Sequence, residues 1–275
     1  MPIAQPAMDQ RSLGGGLRVP AVGMGTWRTL DVRGAAPEAA RAAVVDAALR
    51  AGANLFDSSP MYGESERVLG AALAGRRDEA IVATKVWASS AAEGREQVER
   101  ALAVFGGRVD VYQVHNLLAW QEHLPYLEEL RDRGLVRVVG ATHYQRSAFG
   151  ALASLMQTGR LGMVQLPYNA ADRTAERELL PLAAELGLGV LVMQPLGEGA
   201  LVRHQPAAAE LAPLERFGVT TWPQALLKWC LSDPRVTAVI PATTHVERMT
   251  ANAMAGRPPW FDDEARERVA GLARR

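Results

Sequence analysis

The sequence predicts a single (β/α)₈ barrel domain with an N-terminal β-hairpin and a long loop after the seventh strand. Three observations lead there. Short β-branched runs alternate with helix-period patterns eight times in succession, which favours an all-parallel sheet. The 275 residues suit one such barrel. The stretch after the first strand, "GMGTWRTLDVRG", lacks the G-x-G-x-x-G that a doubly wound open sheet, the main rival, normally carries there. No linker, low-complexity tract or long repeat breaks the chain, so residues 1–275 read as one domain.

The elements follow in order. Residues 11–19 read as a hairpin turning at Gly14-Gly15-Gly16, and "AVGMGT" (21–26) as the first barrel strand. The next helix opens at Pro37 and sets Ala40, Val44, Ala47, Ala48 and Ala51 on one face, with Gly52 where a left-handed cap is cheapest. Further strands read at "ANLFD" (53–57), "AIVATK" (80–85), "VDVYQVH" (109–115) and "LVRVVGA" (135–141). Three more are "GMVQL" (162–166), "GVLVMQ" (189–194) and "VTAVIP" (236–241). Helical patterns separate them near 64–74, 91–104, 121–132, 146–157, 174–186 and 222–231, with a last near 246–255. Leu124, Leu127 and Leu130 against Glu128, Glu129 and Arg131 show the period plainly, and Gly134 and Gly187 mark helix-to-strand junctions. Residues 197–221, rich in Ala and Pro, read as the long loop.

With 48% hydrophobic and 22% charged residues, the composition is that of a soluble globular protein. Thirty basic residues balance thirty acidic ones, so the field that a nucleic-acid or anionic-membrane binder uses is missing, and neither partner is expected. Cys230 has no cysteine to pair with in the chain and fits a reducing compartment. Met1 to Gly16 has no apolar core long enough for a signal peptide, and no later segment would span a bilayer. The expectation is a cytoplasmic protein.

A barrel does its chemistry at the C-terminal ends of its strands. Asp57 ends the second strand, Tyr62 lies just beyond it, Lys85 ends the third and His115 ends the fourth. Neighbouring strands lie ~4.8 Å apart, so three in a row bring these ends within about 10 Å. Taken singly, Asp57 before Ser58-Ser59-Pro60 reads as an Asx turn, Tyr62 as a surface aromatic, Lys85 as a solvated charge and His115 as a structural histidine. Together they form a proton-transfer set. A phenol of pKa ~10 is a poor acid near neutrality, and an adjacent ammonium lowers that value. Asp57 pairs with Lys85 to hold it charged, and His115 orients a carbonyl. Such a group protonates a developing alkoxide, or works in reverse on an alcohol.

These four residues resemble the catalytic tetrad of the aldo-keto reductases. The words "GMGTW", "NLFDSSPMYGESERVLGAAL", "IVATKVW", "VDVYQVHN", "VQLPYN", "PLGEGAL" and "VIPATTHVERMTAN" match that family's order over residues 12–255. The resemblance implies a single barrel that reduces a small-molecule aldehyde or ketone with NADPH, NADH being possible. It puts Thr142, His143 and Gln165 at the nicotinamide carboxamide, and Met193, Gln194, Leu196 and Gly197 along the cofactor. Arg248 falls at the adenosine 2′-phosphate, with Thr243 nearby and Asn252 towards the adenine. A helix N-terminus near His245 adds backbone donors for that phosphate. Trp27 and Trp87 follow strand ends and Trp120 opens the loop after His115, and all three suit an apolar substrate pocket.

The chain departs from the family at three places. Thr142-His143 replaces the frequent Ser-Asn, so an imidazole stands for an amide. Met193 replaces a Tyr that stacks on the nicotinamide, and Ala242 replaces a phosphate-binding Lys, leaving Arg248 as the main basic group. Trp222, Trp229 and Cys230 read as core. His123, His204 and His245 read as solvated, without the spacing of metal ligands, so no metal is expected. The family's members are often monomers, which implies a monomer or weak homo-oligomer. Two other functions fit the same residues: a nicotinamide-binding redox sensor with slow turnover, and a lyase or isomerase using Lys85 as a Schiff base.

Overall fold

The computed structural model describes residues 7–275. The first six residues, part of the stretch read as lacking a signal-peptide core, lie outside the described residues. A two-stranded antiparallel hairpin, β1 (Gln10–Gly14) and β2 (Leu17–Pro20), precedes eight parallel strands. These are β3 (Met24–Gly25), β4 (Leu55–Asp57), β5 (Ile81–Val86), β6 (Val109–His115), β7 (Val136–Thr142), β8 (Met163–Pro167), β9 (Gly189–Met193) and β10 (Ala238–Val239). They neighbour one another in sequence order. A parallel bridge between Val22 and Val239 joins the two edges. Backbone bonds from Gly23 N to Val239 O (2.9 Å) and from Gly25 N to Pro241 O (3.1 Å) extend that join. These bonds nearly close the barrel and pair most of the edge N–H and C=O groups that an open sheet would leave free.

Seven crossover helices and one after the last strand surround it: α1 (Ala35–Arg50), α2 (Ser65–Ala72), α3 (Ala91–Val104), α4 (Trp120–Asp132), α5 (Phe149–Met156), α6 (Leu179–Glu185), α8 (Trp222–Leu231) and, after β10, α9 (Val246–Met254). The apolar period builds them as expected. Leu124, Leu127 and Leu130 of α4 are buried, and Gly52 caps α1 with φ +78°. Ala40 lies exposed, because α1 begins before Pro37 and its buried face starts at Val44.

Inside the barrel Leu55, Ala83, Val111, Val138, Met163, Leu191 and Ala238 form one apolar layer. Leu13, Leu17 and Val19 of the hairpin join it and plug the N-terminal end. Two glycines admit that plug: a Cβ on Gly189 would collide with the Leu13 carbonyl, and one on Gly14 with the Gly162 carbonyl. The hairpin thus seals the N-terminal floor of the barrel.

The C-terminal half adds to the sequence reading twice. Residues 197–221 contain short helical turns within the loop: a kinked turn at Gly197–Val202, α7 (Ala208–Leu211) and a 3₁₀ turn at Ala212–Phe217. A further helix, α10 (Asp263–Ala273), lies past the last expected one, capped by the Asp262 side chain, which accepts from Ala265 N. Together with the segment before it, α10 covers α8, nine of whose ten residues are buried. Trp229 Nε1 donates to Arg266 O at 3.0 Å, and Lys228 Nζ to Pro259 O at 3.0 Å. The expectation that Trp222, Trp229 and Cys230 are core holds, since all three are buried. Among the described residues, no helix is long and apolar enough to cross a membrane.

Candidate active site

The register of the strands builds the site. Asp57 pairs with Ala83, two residues below Lys85; Lys85 pairs with Gln113, two below His115; His115 pairs with Thr142. The set rises by two residues from β4 to β5 and again from β5 to β6 and stays level from β6 to β7, so side-chain alternation keeps Asp57, Lys85, Gln113, His115 and Thr142 on the inner face. A one-residue slip would turn that set outwards.

Lys85 is fully buried, and its Nζ donates to Asp57 Oδ2 at 2.6 Å and to the Ser58 carbonyl at 2.7 Å. The other carboxylate oxygen, Oδ1, accepts from Gln165 Nε2 (2.8 Å) and Gln113 Nε2 (3.1 Å). Asp57 is therefore not an Asx turn. Its oxygens face the barrel interior, where three side-chain donors satisfy them, as a buried charge requires. Thr26 Oγ1 donates to Ser58 Oγ at 2.9 Å and ties the turn to the first strand.

Tyr62 is held over this pair. Its backbone N–H donates to Ser59 O at 3.0 Å, and the Ser65 hydroxyl donates to its carbonyl at 2.8 Å. The Lys85 ammonium lies 5.3 Å from the Tyr62 ring centroid. The His115 ring stands edge-on to it, with centroids 5.9 Å apart and planes at 88°. His115 Nδ1 is 2.9 Å from Ser59 Oγ.

Burial raises the Tyr62 phenol above its usual range; Lys85 pulls it down, and Asp57 adds to the rise. Lys85 lowers the phenol as the sequence led one to expect, but in the free protein desolvation outweighs the ammonium. Burial by itself would push the Lys85 ammonium down. Asp57, Tyr62 and Glu66 outweigh it and hold Lys85 above the ordinary lysine range. Burial, with Lys85 and His143 adding to it, depresses His115 to about 3, so its imidazole is neutral at physiological pH.

The remaining expected residues divide into groups. Thr142 and Gln165 are buried side by side, the Thr142 hydroxyl 3.4 Å from Gln165 Oε1. The Gln165 amide nitrogen is already engaged by Asp57, a double duty the sequence did not indicate. His143 is half-buried; its Nδ1 accepts from Gln145 N at 3.1 Å, and its ring stacks on Tyr144. Met193, Leu196 and Gly197 are half-buried around the end of β9, and the Gln194 amide donates to Glu198 at 2.6 Å. On the far side of the rim, Thr243 and Asn252 are buried while Arg248 is exposed in the first turn of α9. The Thr243 hydroxyl accepts from His245 N at 3.2 Å and shapes that helix entry.

Trp27 and Trp87 are both partly open at the rim, with Arg28 stacked 4.2 Å from the Trp27 ring. The α3 side chain Gln97 pins Trp87 by bonding both its N–H (2.9 Å) and its carbonyl (2.7 Å). Trp120 is the first residue of α4, rather than part of the preceding loop, and packs against the outer core. His123, expected in solvent, is buried and bonds the Ala88 carbonyl at 2.7 Å. Sequence reasoning missed Gln113 and Ser59. Gln113 stands two residues before His115, so period-2 alternation was a usable signal; for Ser59 there was none.

Six non-glycine residues among those described have positive φ: Arg28, Asn116, Leu117, Ala119, Gln194 and Glu198. All follow the C-terminal ends of β3, β6 and β9, so local backbone strain concentrates on the rim that holds the buried polar set.

Residues 21–273 match the model of the aldo/keto reductase family. The chain is 31% identical to an aldo-keto reductase, YhdN, of Bacillus subtilis over 208 residues, 68% of this chain and 61% of that protein. It is 26% identical to the methylglyoxal reductase YeaE of Escherichia coli over 250 residues, 86% of each. Its fold superposes on an aldo/keto reductase of Klebsiella pneumoniae solved with NADP and acetate. The TM-score is 0.82 at 25% identity, covering 98% of this chain and 96% of that one.

Proposed function

The chain belongs to the aldo/keto reductase family, and from that premise we propose that it reduces an aldehyde or ketone to an alcohol with NADPH, Tyr62 delivering the proton. The observation that carries this reading is the fully buried Lys85, bound to Asp57 and lying beneath the Tyr62 ring, with neutral His115 edge-on to the same ring.

The residues present fit a nicotinamide cofactor. Buried Thr142 and Gln165 supply a hydroxyl and an amide at adjacent strand ends, and exposed Arg248 with the α9 N-terminus offers a cation and backbone donors for a phosphate. When bound, a reduced nicotinamide supplies the hydride. Every other task falls to this chain. His115, being neutral, donates one hydrogen bond to the carbonyl oxygen without contributing a charge. Tyr62, protonated throughout the neutral range, gives its proton to that oxygen as negative charge develops. Lys85 stabilises the phenolate left behind, and Asp57, held by Gln113 and Gln165, keeps the ammonium in place. Trp27 and Trp87 give the rim an apolar character that suits a carbonyl with a hydrocarbon substituent. The methylglyoxal reductase among the relatives makes small ketoaldehydes the first substrates to try.

The test follows cofactor absorbance with purified protein, NADPH and a panel of aldehydes and ketones, for wild type and Tyr62→Phe. Removing a general acid is expected to lower kcat by ~10²–10⁴-fold while NADPH binding persists. Full activity in Tyr62→Phe would sink the mechanism. Tight NADPH binding without turnover on any carbonyl would favour the redox-sensing alternative.

A further inference from the structure

The turn between β4 and α2 contains a hydroxyl to which the proton-transfer scheme assigns no task. Ser59 is fully buried, and its Oγ sits 2.9 Å from Nδ1 of His115. A neutral imidazole carries one proton on either nitrogen, and the hydrogen bond made by one nitrogen decides what the other can do. If Nδ1 held the proton, Nε2 would be an acceptor only and would repel a carbonyl oxygen.

The surroundings of Ser59 settle the direction. Its Oγ already accepts, weakly, from the Met61 N–H at 3.4 Å. Among the described residues, the only acceptor within reach of its hydroxyl hydrogen is His115 Nδ1. Were Nδ1 to donate instead, the Ser59 proton would be buried without a partner, an arrangement that costs about 1–3 kcal/mol. Pro60 follows directly and restricts the Ser59 backbone, while the Ser59 carbonyl accepts from Tyr62 N. Ser59 thus connects the two groups that meet the substrate: its carbonyl anchors the Tyr62 backbone, and its hydroxyl contacts the His115 ring.

We propose that Ser59 is a positioning residue: its hydroxyl donates to His115 Nδ1 and fixes the imidazole as the Nε2–H tautomer that can hydrogen-bond a substrate carbonyl. The inference rests on the assignment of His115 to the carbonyl, and its test is chosen so that the two can fail separately.

Long-range ¹H–¹⁵N NMR on histidine-labelled protein near pH 7 reads the tautomer directly, with His115 assigned by the signal lost in His115→Asn. Wild type is expected to show a pyrrole-type Nε2 and a pyridine-type Nδ1. Ser59→Ala should mix the tautomers and lower kcat about tenfold, the loss of one hydrogen bond, with KM for NADPH unchanged. Ser59→Thr, which keeps the hydroxyl, should restore both the spectrum and the rate. A wild-type spectrum with the proton on Nδ1 overturns the proposal, as does a Ser59→Ala spectrum identical to wild type. A shifted tautomer with undiminished turnover would uphold the Ser59 contact and remove His115 from the chemistry.

Discussion

Replacing Lys85 by Met tests the centre of the site, because it removes the charge while nearly keeping the volume. Lys85 Nζ lies 5.3 Å from the Tyr62 ring centroid, both side chains being largely out of water. At an effective dielectric of about 20, a unit charge pair at that distance is worth about 3 kcal/mol. Loss of the ammonium therefore disfavours the phenolate by roughly a hundredfold. Under the proposed mechanism alcohol oxidation uses the phenolate as base and should fall by about that factor at fixed pH. Carbonyl reduction, in which phenolate charge is only partly developed at the transition state, should fall less. Stability drops as well: breaking a buried pair leaves Asp57 uncompensated and costs about 3–5 kcal/mol, or a fall in Tm of about 10 °C. Lys85 is held above its ordinary range, so its contribution to folding is complete below about pH 10.4 and is lost as pH rises through the folded value. The assay pairs urea unfolding with initial rates in both directions. A folded Lys85→Met protein within threefold of wild type in both directions would refute the reasoning.

Further outcomes follow from the same geometry. His115 stays neutral to about pH 3 when folded but titrates near 6.5 when unfolded, so stability should fall with acid through that window. The loss is about 2 kcal/mol by pH 5, and His115→Asn should flatten it in urea melts at pH 7 and 5. Arg248→Ala should raise KM for NADPH about 10–100-fold, the value of one charge-assisted bond, and leave KM for NADH unchanged in steady-state kinetics. Ala119 holds φ +44° and ψ +40° ahead of α4. Ala119→Gly should relieve that strain and stabilise the protein by about 0.5–1 kcal/mol in thermal melts, the steric cost less the entropy of glycine.

Much of the architecture was legible because helices satisfy their backbone locally and show a buried stripe at helical period, while the buried parallel strands stand out as short continuous apolar runs between them. The β6 run "VDVYQVH" is buried from end to end, as a parallel strand packed on both faces must be. What escaped was less periodic. The turns within 197–221 are short, and three successive residues there, Gly197, Glu198 and Gly199, have positive φ, so no helical stripe forms. The α10 helix did carry a cap signal, Asp262 before Asp263-Glu264, past the end of the repeating pattern.

Spacing along the chain put Asp57, Tyr62, Lys85 and His115 at the ends of consecutive strands, and the alternating pattern by itself determined that these ends share one rim. Their electrostatics could not be read there. The direction in which Tyr62 shifts depends on how much water the rim excludes, a property of the whole assembly. Which donors reach Asp57 was likewise decided by the closed barrel. Closure brings Gln113 and Gln165, from sequence positions 56 and 108 residues away, onto one carboxylate oxygen. Those contacts exist only after the sheet has closed, because they join side chains across the barrel interior rather than along the chain.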